Sequence, residues 1–312
     1  IFDEPQSIPL KVTHLFNNAL NFLHHFGHST IVLCTATQPC LNKVDSEKGR
    51  LHFSRKNGNS SEMMSDCRKM FDALKRVTVT NKIRPQGYSN SDIASFLIEN
   101  FRPKIKSQLF IANTKKVARE VYQHLRDNSP DVPIYHLSTS MCPAHRKQIL
   151  GHIKKRLINS EQLFCASTQL IEAGVDISFD SVTRSLAGLD SIAQAAGRCN
   201  RHGKSGKNGK VFIINPSSEN LSSLPEIGIA QEKTLRVLDE FKKIADEPDL
   251  IGLQAIKRFY ELYFFERSHE MDYPIGGGYT LLDLLSANEL GLRANRRKNK
   301  QLPTYPLKQA FM

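Results

Sequence analysis

Leu163-Phe164-Cys165-Ala166-Ser167-Thr168-Gln169-Leu170-Ile171-Glu172-Ala173-Gly174-Val175-Asp176 begins with four apolar residues and passes at once to hydroxyls, an amide, a carboxylate and a glycine. A short apolar run closed by turn residues is the pattern of a buried strand that opens into a loop. The pattern recurs on both sides. Leu109-Phe110-Ile111-Ala112 runs into Asn113-Thr114, Pro133-Ile134-Tyr135 is a short strand, and Val211-Phe212-Ile213-Ile214 is another. Between these runs the apolar period changes to that of a helix: residues 93–101, a face marked by Val117, Val121 and Leu125, and residues 145–158. Apolar strands alternating with helices predict an α/β fold with a parallel sheet covered on both faces. Such sheets take their ligands beyond the carboxyl ends of the strands, where the polar residues fall.

Further from this centre the pattern is looser. Residues 1–3 resemble the end of a buried strand, and Thr30-Ile31-Val32-Leu33-Cys34 is a second one. Val12, Leu15, Phe16, Ala19, Phe22, Leu23 and Phe26 predict a helix over 10–26. Residues 42–75 are polar and without period, a surface excursion with room for a short helix. Residues 217–225 are serine-rich and suggest a connector. Helices are expected over 229–265, with Leu235, Leu238, Phe241 and Ile244 on one stripe.

Composition narrows the classes. Of 312 residues, 40% are apolar and 24% charged, the proportions of an ordinary soluble globular chain. No stretch approaches the roughly 18 consecutive apolar residues of a membrane span, so no membrane partner is expected, and residues 1–30 lack a secretory signal pattern. The formal charge of +12 favours a polyanionic partner, because neutralising phosphates releases counterions. Six cysteines include no C-x-x-C pair, which argues against a zinc site. Free buried thiols in a reducing cytoplasm are expected.

Four constellations carry chemistry. Asp3-Glu4-Pro5-Gln6 follows an apolar strand, where one carboxylate can hold magnesium and the next can orient an attacking water; the same dipeptide also suits a solvated loop. Thr35-Ala36-Thr37 follows the next strand, placed to hydrogen-bond that acidic pair or to close a local turn. Gln194-Ala195-Ala196-Gly197-Arg198-Cys199-Asn200-Arg201 sets two arginines three apart, which on a helix would share a face and clamp phosphates. In the opening stretch, the hydroxyl of Thr168 can donate to a nucleic-acid phosphate, and Gly174 lets Asp176 reach a ribose or the arginines. Glu172 also fits a charge on a helix surface. Thr114 fits a phosphate contact or a helix N-cap.

D-E-x-Q, T-A-T, F-I-A-N-T, S-T-Q-x-x-E-x-G-V-D and Q-x-x-G-R-x-x-R, in that order, resemble motifs II to VI of a superfamily-2 helicase. Their wording is most similar to the CRISPR-associated helicase–nuclease recruited by the Cascade surveillance complex. Thr37-Gln38-Pro39, Leu137-Ser138 with Met141-Cys142-Pro143-Ala144-His145-Arg146, and Gly197-Arg198-Cys199-Asn200-Arg201 carry that likeness. The resemblance covers residues 1 to about 215. It implies RecA-like parallel sheets: part of a first domain over 1–85, a complete second domain over 86–216, and a helical linker or accessory region over 217–312. It implies ATP with Mg2+ between the domains and 3′-to-5′ movement on single-stranded DNA.

By the same resemblance, Asp3 holds the metal and Glu4 activates water, while Arg198 and Arg201 complete catalysis. Gln6, Gln194, Gly174 and Asp176 would meet the nucleotide. Thr35 and Thr37 would couple hydrolysis to movement. Asn113, Thr114, Ser138, Arg146, Thr168 and Gln169 would line the nucleic acid.

Two family features do not occur in these 312 residues: the loop G-x-x-x-x-G-K-[ST] and a His-Asp dipeptide. Gly203-Lys204-Ser205 imitates only the end of such a loop. The chain therefore has the character of a fragment whose missing N-terminal portion is a partner, with little ATP hydrolysis of its own. An RNA helicase and a non-catalytic binding module are the competing expectations. Arg293, Arg296, Arg297, Lys298 and Lys300 form a basic tail, solvated or DNA-contacting, and Phe264-Phe265 suits core packing or base stacking.

Overall fold

A computed structural model describes residues 1–44, 48–52, 62–64, 66–101, 105–172, 174–203, 208–245, 248–276 and 278–286. The basic tail and Lys204-Ser205 lie outside the described residues. The chain divides into two compact units, one made of 1–63 with 260–312 and the other of 64–259.

The larger unit is built on a six-stranded, wholly parallel sheet. In chain order its strands are β3 (Val77–Asn81), β4 (Ser107–Ala112), β5 (Ile134–Leu137), β6 (Leu163–Thr168), β7 (Ser181–Ser185) and β8 (Gly209–Ile214). Their order across the sheet is β3-β8-β7-β4-β6-β5. Alternation along each strand separates two cores. Leu109, Ile111 and Cys165 enter one, and Phe110, Ala112, Phe164 and Ala166 enter the other. Helices α3 (Asn90–Glu99) and α4 (Lys115–Asn128) cover the second face, and Val117, Val121 and Leu125 of α4 are fully buried there, as their spacing predicts. Helices α5 (Pro143–Ile158) and α6 (Leu189–Ala196) cover the first. This is a RecA-like α/β architecture.

Two of the strands have no apolar run to betray them. β3, Val-Thr-Val-Thr-Asn, is an edge strand paired only with β8, so half of it stays polar. It lies before residue 86, and the compact unit begins earlier than the expected second domain. β7, Ser-Val-Thr-Arg-Ser, is buried at every position yet mostly polar. Its backbone is satisfied by β4 and β8 and its arginine by a buried network described below. At the far end of the unit, α7 (Pro225–Lys242) buries Ala230, Thr234, Val237 and Leu238. The expected stripe is buried only in part: Leu238 is buried, while Leu235 and Ile244 are exposed.

In the smaller unit, β1 (Phe2–Asp3) pairs in parallel with β2 (Leu33–Cys34) and is joined to it by α1 (Thr13–His25). The helix turns a more polar face inward than its period suggests. Thr13, His14, Asn17 and Leu20 are buried while Phe22, Leu23 and Phe26 are exposed. The Asn17 amide donates to the carbonyls of Leu41 at 3.0 Å and Gly49 at 3.3 Å, so the buried polar face is held by hydrogen bonds. Phe264 packs into the two small cores of this unit, and Phe265 is exposed. No helix among the described residues is long and apolar enough to cross a membrane.

Candidate nucleotide and nucleic-acid sites

The acidic tetrad of the smaller unit sits where the strand ends. Asp3 closes β1, and Glu4 follows with its amide donating to the Cys34 carbonyl at 2.9 Å. Glu4 adopts φ 52° and ψ 53°, a left-handed conformation that is uncommon outside glycine. Such strain is found where a side chain must be held in a particular direction. Here it leaves both carboxylates exposed at one strand end. Gln6 bridges the two polar segments: its amide donates to Glu4 Oε2, and its carbonyl accepts from Thr35 Oγ1 at 2.6 Å. Thr35 also accepts from the Thr37 amide at 3.0 Å. The T-A-T hydroxyls do not bond the acidic pair directly: Thr35 closes a local turn with Thr37 and reaches Glu4 only through Gln6. Thr37 has its side chain buried and outside that chain of bonds.

Among the described residues there is no cluster of three His, Cys, Asp or Glu side chains suited to a metal. Magnesium shared between one carboxylate, waters and phosphates needs none, so Asp3 fits that use.

In the larger unit the polar residues fall at two opposite ends of the sheet. Asn113 and Thr114 follow β4, Ser138 follows β5, and Thr168 ends β6. The ladder sets Ala112 beside Thr168 and Leu137 beside Ser167, so these residues share one edge. The strand order reverses at β4, which makes this carboxyl edge the expected ligand crevice. Thr114 is half-buried and caps α4, its hydroxyl accepting from the Val117 amide at 3.4 Å. Gln169, directly after Thr168, and Arg146, in the first turn of α5, are half-buried, while Ser138 and Thr168 are 2% and 7% exposed.

Asn113 departs from expectation. Its Nδ2 donates to the Leu186 carbonyl at 2.8 Å and to Glu219 at 2.7 Å, and its Oδ1 accepts from Arg184 at 2.7 Å. With 7% exposure it holds neighbouring loops together and has no side-chain group left for a strand of nucleic acid.

Arg184 is the centre of that network. Its Nε lies 2.7 Å from Glu172 Oε1, with side chains 0% and 5% exposed. Ser191 accepts from Arg184 at 3.2 Å and donates to Glu172 at 2.8 Å. Glu172 is therefore no helix-surface charge. Burial pushes both Glu172 and Glu219 above the ordinary glutamate value of 4.5, against the pull of Arg184 on the first and of the Asn113 donors on the second. A carboxyl raised in the folded state contributes stability that is full below its unfolded value and is lost as pH rises through the folded one. Thermal melts from pH 4.5 towards neutrality should show the parent losing stability relative to Glu219→Gln. A gain instead would mean that the donors outweigh burial.

The arginine motif does not lie on that carboxyl edge. Helix α6 carries the chain back along the sheet, about 12 Å for its 8 residues, and ends at Ala196. Gln194 is half-buried on this helix. Beyond Gly197 the chain turns, with the Arg198 and Cys199 amides donating to the Ala195 and Ala196 carbonyls at 2.9 Å, and bridges to Phe179 just before β7: the Phe179 amide donates to the Arg198 carbonyl at 2.8 Å, and the Asn200 amide to the Phe179 carbonyl at 2.9 Å. Asn200 then turns with φ 46°. Its side chain and the Gly209 amide both donate to the Arg76 carbonyl, at the start of β3 and β8. Space is tight there, since a Cβ on Gly209 would lie 2.5 Å from Cys199 Sγ.

The two arginines consequently do not share a helix face. Arg198 is 7% exposed; its Nε donates to the Ile171 carbonyl at 3.0 Å and its Nη2 to the Glu172 carbonyl. Arg201 is partly exposed and pairs with Asp176 at 2.9 Å, with His202 3.9 Å from the same carboxylate. Asp176 does reach an arginine, helped by Gly174 at φ 69°. Arg198 thus ties the turn after β6 to the end of α6, and Arg201 is the cation presented to solvent.

Residues 104–204 match the family model described as CRISPR-associated nuclease/helicase Cas3, C-terminal. A putative CRISPR-associated nuclease/helicase Cas3 of Methanocaldococcus jannaschii is 30% identical over 167 residues, which is 52% of this chain and 22% of that protein. The Haloferax volcanii CRISPR-associated nuclease/helicase Cas3 is 43% identical over 95 residues, 29% of this chain and 10% of that protein. The chain therefore matches less than a quarter of either relative's length. Among solved structures, the crystal structure of T. fusca Cas3 has a TM-score of 0.60 at 18% identity, covering 86% of this chain and 36% of that one. That similarity establishes a shared fold.

Proposed function

We propose that this chain belongs to the Cas3-like superfamily-2 helicases and serves as part of an ATP-driven motor that moves 3′-to-5′ on single-stranded DNA. The observation that carries the reading is the division of the larger unit into two chemically distinct ends. The carboxyl edge offers the partly exposed Thr114, Gln169 and Arg146, groups that suit a sugar–phosphate backbone, beside the buried Ser138 and Thr168. The other end offers Arg201 and Asp176, which suit a nucleotide: the guanidinium for charge on the transferring phosphoryl group, the carboxylate for a ribose hydroxyl. Arg198 and α6 connect the two ends through rigid backbone, the requirement for one to answer the other.

In the smaller unit Asp3 would hold Mg2+ and Glu4 would orient the attacking water. The Glu4–Gln6–Thr35 chain would report the state of that carboxylate to the following segment. When bound, ATP and its metal supply the phosphoryl group and neutralise its charge; the chain's own groups position and stabilise it. Relatives bearing the Cas3 name and a solved CRISPR RNA-guided surveillance complex of 19% identity and TM-score 0.53 support a Cascade-type guide complex as the partner.

The test is nucleotide turnover by the longest open reading frame containing this chain, with single-stranded DNA or RNA of matched sequence as stimulant. DNA stimulation that Glu4→Gln abolishes is expected. Stronger stimulation by RNA would replace DNA with RNA as the track, and no turnover in either case would leave a binding module.

A further inference from the structure

Glu219 belongs to the serine-rich connector and to none of the motifs, yet its carboxylate meets the start of α4 with both oxygens. Oε1 accepts from the backbone amides of Asn113 at 2.8 Å and Thr114 at 3.2 Å, and Oε2 accepts from Asn113 Nδ2 at 2.7 Å. The leading amides of a helix lack partners within it, so an external acceptor decides how firmly that turn is held. The acceptor is itself fixed. Pro216 bridges to Tyr88, the Ser217 amide and hydroxyl both donate to the Tyr88 carbonyl, and Ser218 meets Asn90 at 3.1 Å. On the other side, Gln231 and Thr234 of α7 donate to the Leu186 and Ala187 carbonyls at 2.7 and 2.8 Å. Asn113, gripped by Glu219 below and Arg184 behind, cannot shift without breaking several bonds at once. Thr114 then stands half-exposed with its oxygen accepting from Val117 and its hydroxyl proton engaged by no described residue.

We infer that Glu219 is a positioning residue for nucleic-acid binding: it fixes the Asn113–Thr114 backbone so that the Thr114 hydroxyl is aimed at a phosphate of the bound strand. The inference rests on the functional reading above. A carboxylate close to a phosphate path repels the strand, so removing its charge should tighten binding if charge is all it contributes. Positioning requires the opposite. Glu219→Gln keeps the size but turns an amide donor toward an N–H, and binding should weaken.

The experiment uses the 312-residue chain with a fluorescent oligothymidine as probe, followed by anisotropy. Glu219→Gln is expected to raise Kd about tenfold, as loss of a hydrogen bond to a charged group would. Thr114→Ala should do the same, and the double variant should be no worse than either alone. Hydrogen exchange at the Asn113 and Thr114 amides should accelerate in Glu219→Gln. Glu219→Asp, which keeps the charge but shortens the reach, should weaken binding as well and covers the case in which the glutamine variant fails to fold. Binding that Thr114→Ala weakens while Glu219→Gln leaves equal or tighter overturns this inference alone, as does simple additivity. No binding by the unaltered chain overturns the functional reading and this inference together.

Discussion

On the proposed function, Arg201→Ala is expected to lower nucleotide turnover by about a thousandfold, with the melting temperature unchanged. The rate effect is the lower end of what an arginine supplied to a transferring phosphoryl group contributes, about 10³–10⁵. The unchanged melting temperature follows from the site. The Arg201 side chain is 38% exposed and its partner Asp176 65% exposed, so their ion pair is largely screened by water. Arg201→Lys should not restore the rate, because a point charge cannot offer the planar fork of donors. The control is Arg198→Ala. Arg198 is buried against the carbonyls of Ile171 and Glu172, so its removal should lower stability as well as rate. Turnover within a few-fold of the parent in Arg201→Ala would remove this residue from catalysis.

The second large effect is on stability. Arg184→Ala should destabilise the larger unit by about 3–5 kcal/mol, because it leaves the Glu172 carboxylate buried and uncompensated. It also takes a donor from Asn113 and a partner from Ser191. Pairing Arg184→Met with Glu172→Leu should recover most of the loss, since two apolar side chains of similar volume leave no orphaned charge. Urea unfolding followed by circular dichroism measures both. A single variant within 1 kcal/mol of the parent would mean that water reaches Glu172 in the folded chain, contrary to its burial.

The central strands were plain in the sequence for a physical reason. β4, β6 and β8 are covered by helices on both faces, and such strands carry near-continuous apolar runs. β3 escaped because an edge strand keeps half its side chains polar. β7 escaped because its burial is maintained by an internal ion pair and hydrogen bonds, which no hydropathy pattern records. Glu219 escaped for a similar reason: it lies more than 100 positions from Asn113, and a serine-rich stretch gives no local sign that its single carboxylate is anchored.

The order of the motifs and the spacing of the apolar runs were determined by the sequence alone. They specified a parallel α/β sheet, and they placed hydroxyl and amide groups at the carboxyl ends of its strands, because those properties follow from local period and chain direction. Only the tertiary structure decided what the motif residues do within the larger unit. It ended α6 before Arg198, turned that guanidinium inward onto the Ile171 and Glu172 carbonyls, and left Arg201 outside with Asp176. It also drew Asn113 into the buried network and brought Glu219 to the start of α4. Side-chain direction past a helix end, and contacts between segments distant in sequence, depend on packing against the whole sheet, and no local pattern of residues contains that information.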